Sequence, residues 1–208
     1  MYKNNRELEE KFKITSVVSV CNNRIWLNGK LAFESKEPDV ARFLLSAFQN
    51  LKISYPKFYK MDGLSKLGWV ATEYLLKDKP GFTLNDNYSA GMVLANKNAS
   101  LDADLKYYRT VASIPSPALF VYTLPNIVMG EISIRHKLKG ENAFFIQEEF
   151  DADFIAQYVQ GLLNNNILQS CICGWVDLLN EDYKAVLMRV EKNGEGVEFT
   201  SQNMLTYF

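Results

Sequence analysis

The run from Pro117 to Asp153 decides the fold. It opens Pro117-Ala118-Leu119-Phe120-Val121-Tyr122 and passes Leu124-Pro125-Asn126. It continues through Gly130-Glu131-Ile132-Ser133-Ile134-Arg135-His136 to Gly140-Glu141-Asn142, and closes Phe144-Phe145-Ile146-Gln147-Glu148-Glu149-Phe150-Asp151-Ala152-Asp153. The apolar spacing predicts a helix over about Phe120–His136, and Gly140 marks a turn. A strand follows over Asn142–Gln147, and a second helix over Asp151–Leu163. Asp151 is a good N-cap, and Glu148 and Glu149 lie just before a positive helix end, where carboxylates are favoured.

Working outward, the same alternation recurs. Ile14–Val20 is apolar and β-branched and reads as a strand, which Arg24-Ile25-Trp26-Leu27 continues into a turn at Asn28-Gly29. A helix is expected from Val40 to Phe48, after Pro38. Another should begin near Ser65, where Leu67, Val70, Ala71, Tyr74 and Leu75 recur at helical spacing, and end at Lys79-Pro80-Gly81. Ser89–Asn96 reads as a buried strand, Leu101–Thr110 is amphipathic, and Gln169–Leu178 and Tyr183–Glu191 are strands. Residues 1–11 form a polar lead-in, and Asn193-Gly194 begins a tail without clear periodicity. Strands alternating with helices predict one α/β domain with a mixed sheet.

Composition narrows the function classes. The 208 residues, 48% of them hydrophobic, suffice for a single domain with a large core. A net charge of −1 gives no bulk attraction for nucleic acid or an anionic membrane. No apolar run approaches the roughly 20 residues of a membrane span, and the charged N-terminus lacks a signal-peptide core. The cytoplasm is the expected compartment.

The chemistry-bearing residues are sparse. Cys171 and Cys173 are two apart on a predicted strand and share a face, a geometry that suits core packing and is too poor in partners for a metal site. His136 is the one histidine, at the end of a predicted helix beside Arg135 and Lys137. It is expected to be solvated, or to serve the helix C-terminus, and not to act as a general base. Glycine-rich phosphate loops and Gly-X-Ser-X-Gly are absent, so no cofactor is expected. Lys57, Lys60 and Lys66, set among Phe58, Tyr59 and Trp69, read as a solvated helix start or as a contact for an acidic carrier protein.

Taken in order, Lys60-Met61-Asp62-Gly63-Leu64-Ser65-Lys66-Leu67-Gly68, Ala90-Gly91-Met92-Val93-Leu94-Ala95, Ser116-Pro117-Ala118, Pro125-Asn126, Gly130-Glu131-Ile132-Ser133-Ile134 and Leu138-Lys139-Gly140 resemble the N-terminal half of β-ketoacyl-acyl-carrier-protein synthases. The likeness is to the divergent ketosynthase-like domains of aryl-polyene, polyketide or fatty-acid gene clusters, and it covers about Tyr55 to Glu191. It implies a thiolase-like half-fold, a five-stranded mixed sheet packed with helices, in a chain with room for one of the two halves.

The resemblance also implies where the acyl-accepting cysteine would stand. Family spacing from Gly140 places it at Glu149, with Gln147 and Glu148 as register alternatives. A carboxylate accepts an acyl group poorly there, whereas Gln147 would match chain-length-factor-like or decarboxylating subunits. Phe145, Phe150 and Asn126 are the candidate pocket residues, the phenylalanines filling what would be the acyl pocket. The expected function is therefore a non-catalytic, ketosynthase-like or chain-length-factor-like accessory protein, working as a homodimer or heterodimer with a ketosynthase, or with an acyl carrier protein. The alternatives are an acyltransferase or malonyl decarboxylase with a non-cysteine site, and an acyl-binding module.

Overall fold

The computed structural model describes residues 12–77, 87–192 and 194–208. The polar lead-in over 1–11, the helix stop at Lys79-Pro80-Gly81 and the start of the tail at Asn193 lie outside them. The strands are β1 (Phe12–Cys21), β2 (Arg24–Leu27), β3 (Lys30–Glu34), β4 (Ala90–Asn96), β5 (Asn142–Ile146), β6 (Ser170–Leu179), β7 (Asp182–Lys192) and β8 (Val197–Glu198). The helices are α1 (Val40–Asn50), α2 (Gly63–Leu75), α3 (Leu101–Val111), α4 (Pro117–Phe120), α5 (Ile127–His136), α6 (Ala152–Asn164) and α7 (Ser201–Leu205).

The strands form one mixed sheet in the order β3-β2-β1-β7-β6-β4-β5, with β8 on β1. β4 runs parallel to both β5 and β6, and the other pairs are antiparallel. Among the described residues the expected count of five is corrected to eight. The run β1-β7-β6-β4-β5 supplies five, and β2, β3 and β8 extend it. The segment read as one strand running on from β1 is instead a hairpin. Asn22 and Asn23 both take positive φ, 49° and 56°, and reverse the chain before the expected turn at Asn28-Gly29 reverses it again.

Alternation along the strands divides the core in two. Met92, Leu94, Ile172, Val176 and Leu187 face α1, α2 and α5, whereas Val93, Ala95, Cys171, Cys173, Val186 and Met188 face α6 and α7. In β1 a register shift between Ile14 and Ser16 puts Ile14 and Val17 on the same side. β4 is buried at all seven positions, as suits a parallel strand covered on both faces. α2 is buried almost all round, and Gly68 lets α5 close on it, since a Cβ there would meet Val128.

The single helix expected over Phe120–His136 is broken. α4 ends at Phe120, turns tighten through Tyr122 and Thr123, and α5 starts only after Leu124-Pro125-Asn126. Pro125 has no N–H to donate and disfavours helical geometry in the residue before it. At the sheet's far end, β5 is hydrogen-bonded on one side, to β4. Among the described residues no helix is long and apolar enough to cross a membrane.

Candidate functional site

The junction between β5 and α6 is where strand pairing stops and a helix begins. Gln147 N–H still donates to the Asn96 carbonyl at 2.9 Å. Four residues later the Asp151 side chain accepts the Phe154 N–H at 2.9 Å and caps α6. The Asp151 N–H reaches Gln147 Oε1 at 3.5 Å. Between these anchors Glu148 and Glu149 are exposed and Gln147 is half-buried. Together with Phe150, Asp151, Ala152, Asp153 and Leu205 they line an open depression of about 570 Å³.

The aromatic residues around the junction are committed to packing. Phe150 stacks on Phe208 with centroids 4.0 Å apart and meets the edge of Trp175 at 6.2 Å. Lys184 also holds Phe208, donating to its backbone oxygen at 2.9 Å with its ammonium 5.2 Å from the ring centre. Phe145 makes edge contacts with Phe154 at 4.7 Å and Tyr158 at 5.1 Å. Phe145 and Phe150 thus join the α6 face of the sheet. Asn126 is exposed at the N-cap of α5, whose apolar side packs on the opposite face, so it is not brought together with them.

Electrostatically the junction is acidic. Asp151 and Asp153 already occupy the first turn of α6, and Glu148 and Glu149 add two more carboxylates. The partial positive charge of the helix end is therefore met by the chain itself. Stabilising an incoming anion there would mean displacing these acids.

A second polar cluster lies on the other face. Glu73 of α2 accepts from Arg135 Nε at 2.8 Å and Nη2 at 3.3 Å, and His136 Nε2 lies 3.0 Å from Glu73 Oε1. The Arg135 guanidinium also stacks over the rings of Tyr55 and Trp69. Burial pushes the Glu73 carboxyl up, but the contacts with His136 and Arg135 outweigh it and hold the carboxyl below its ordinary value. His136 is therefore in the last turn of α5, as expected, but its side chain is only 14% exposed and is paired, which corrects the solvated reading. Nothing local in the chain signals this cluster, because Glu73 and Arg135 are 62 positions apart.

The lysines separate in the same way. Lys57 contacts buried Glu131 at 2.7 Å, and Tyr122 donates to the same carboxylate at 3.2 Å. Lys66 lies over the Phe58 ring, and Lys60 is exposed. Cys171 and Cys173 are wholly buried, and burial pushes both thiols well up. In the native protein Cys21 alone is expected to react with Ellman's reagent, with Cys171 and Cys173 reacting only in denaturant. Rapid native labelling of all three would contradict this burial.

No family model and no curated protein matches the chain by sequence. Solved structures do match its fold. The ishigamide ketosynthase/chain length factor superposes with a TM-score of 0.65 at 18% identity, over 88% of this chain and 62% of that one. A ketosynthase in complex with its chain length factor from Xenorhabdus doucetiae gives 0.56 at 11% identity, over 88% and 80%. A type II polyketide synthase acyl-carrier protein in complex with its ketosynthase bound to the hexaketide gives 0.63 at 14%, over 88% and 63%. The chain thus spans less than two thirds of the first of these. One mixed sheet of eight strands among the described residues, helices on both its faces and these superpositions identify the chain as one with the ketosynthase-like, thiolase-like fold.

Proposed function

We propose that this is a non-catalytic, ketosynthase-like accessory or chain-length-factor-like protein of the cytoplasm. It works in fatty-acid, polyketide or aryl-polyene type synthesis, together with a ketosynthase and an acyl carrier protein. The observation that carries this reading is the β5–α6 junction. On the register from Gly140, Glu149 stands at the nucleophile position, and it is exposed on an acidic ledge. A thiolate would be stabilised by a free helix N-terminus, whereas here Asp151 and Asp153 occupy it. A glutamate in the same place repels the anionic malonyl group and is a weak acyl acceptor. The ring of Phe150, packed against Trp175 and Phe208, lines the same depression, and Phe145 is committed to Phe154 and Tyr158. The solved neighbours described as ketosynthase–chain length factor assemblies support a role through a partner.

The test is incubation with malonyl-carrier protein, following carbon dioxide release and acetyl or condensed product by mass spectrometry. No turnover by the chain alone, with a change in product length when it is added to a ketosynthase, is the expected result. Turnover that disappears in Glu149→Ala would overturn the proposal in favour of an enzyme with a carboxylate at its centre.

A further inference from the structure

We infer that the cavity between the C-terminal ends of α1, α2 and α5 is a binding site for a small carboxylate with an apolar body. It lies on the α1–α2–α5 side of the sheet, away from the β5–α6 junction. One wall is aliphatic: Leu51 at the C-cap of α1, Ile53 just beyond it, and Leu76 at the C-cap of α2. The other wall is charged, with Glu73 and Lys77 from the end of α2 and Arg135 and His136 from the last turn of α5. The volume is about 300 Å³, at the small end of ligand pockets. At about 30 Å³ for a group the size of water, that space takes a ligand of roughly ten non-hydrogen atoms.

The charged wall is fixed by the fold. The Glu73 side chain is 9% exposed and pairs with Nε and Nη2 of Arg135 and with Nε2 of His136. The Arg135 guanidinium is held flat over the Tyr55 and Trp69 rings. Among the described residues neither Arg135 Nη1 nor His136 Nδ1 makes a hydrogen bond to the protein. Nitrogens held in place in this way bind a ligand with little further loss of entropy.

Charge sets the sign of that ligand. Lys77 and Arg135 in the wall, with Lys52 and Lys137 directly after Leu51 and His136, bring four cations against the one carboxylate of Glu73. The three helix C-termini subtract roughly half a charge each. Two of them are already capped through the left-handed residues Lys52 and Lys137. The balance stays positive, so an anion is favoured. A planar carboxylate matches the guanidinium edge, and its carbon body covers Leu51, Ile53 and Leu76. Inorganic phosphate would leave that wall bare.

This site is separate from the accessory function proposed above, and the chain's one histidine reports on it directly. The experiment follows the His136 ring signals by NMR at constant pH while hexanoate is added to the full chain. A saturable shift with half-saturation below about 1 mM is expected for a ligand of this size. Hexylamine has the same body and the opposite charge and is expected to give no saturable shift. Inorganic phosphate is expected to need roughly ten times the concentration of hexanoate. Lys77→Gln, at an exposed position, and Arg135→Lys, which keeps the charge and loses the planar fork, are each expected to weaken hexanoate about tenfold. Lys97→Gln is the control and is expected to change nothing. It is exposed past the end of β4, next to Asp177 and towards the N-terminal end of α2. No saturable shift up to about 10 mM hexanoate overturns the inference. So does hexylamine or phosphate binding as tightly as hexanoate, or hexanoate binding that is unchanged in both Lys77→Gln and Arg135→Lys.

Discussion

The Gly174→Ala chain is expected not to reach a cooperative folded state. Gly174 lies in the middle of β6, between β4 and β7, with φ at +144°, a conformation that L side chains rarely adopt. An added Cβ would run into the carbonyl oxygen of Val186 on β7. Backbone on a neighbouring central strand cannot swing away as a side-chain tip can. Relief would require parting the β6–β7 ladder, the seam on which both core clusters are built. A loss of about 4 kcal/mol or more is expected, comparable with the whole stability of many domains. Circular dichroism and urea denaturation would measure it. Gly161→Ala is the control: that position is inside α6 with nothing within 4 Å of the new methyl, and the change is expected to be neutral or to stabilise by about 0.5–1 kcal/mol. Equal behaviour of the two variants would show that the β6–β7 contact is not the constraint described.

Glu73→Ala is expected to cost about 3 kcal/mol, at the low end for a broken buried ion pair because Arg135 remains 30% exposed and can recover some hydration. Its pH signature is more specific than its size. The Glu73 carboxyl is held below its ordinary value in the folded protein, so the unfolded chain binds the extra proton as pH falls. The contribution is therefore fully present above the ordinary glutamate value of about 4.3 and is lost as pH drops through the folded value. Denaturation measured from pH 7 down to pH 3 should show wild type losing stability in that acid range. Glu73→Gln should show a flatter acid limb from a lower starting point. An acid limb of unchanged slope in the glutamine variant would remove Glu73 from this role.

The junction that suggests the function was legible for a local reason. Asp151 follows two glutamates and precedes an amphipathic run, so strand end, cap and helix start are all written within a few residues, and the structure differs by a residue at each boundary. The buried strand at Ala90–Asn96 and the pair β6–β7 were legible for the same reason, since continuous apolar runs of that length have few other uses. The hairpin at Asn22-Asn23 was not. Two asparagines in left-handed conformation make a turn only because β1 and β2 pair on either side of them. Around Pro125 the apolar spacing is helical, but a proline without an N–H to donate breaks the helix there.

Local chemistry along the chain thus determined the alternation of strands and helices, the position of the capped α6 and the glutamates that stand before it. Those features depend on neighbours within one turn or one hairpin. Tertiary structure alone decided that Glu73 meets Arg135 and His136, and that Phe150 is stacked under Phe208. It also decided that Asn126 lies across the sheet from Phe145, and that the uncharged run from Val111 to Val121 remains on the surface while Val128 and Met129 enter the core. The physical reason is sequence separation. These contacts join residues tens of positions apart, and they form only when burial of the two sheet faces brings the elements together.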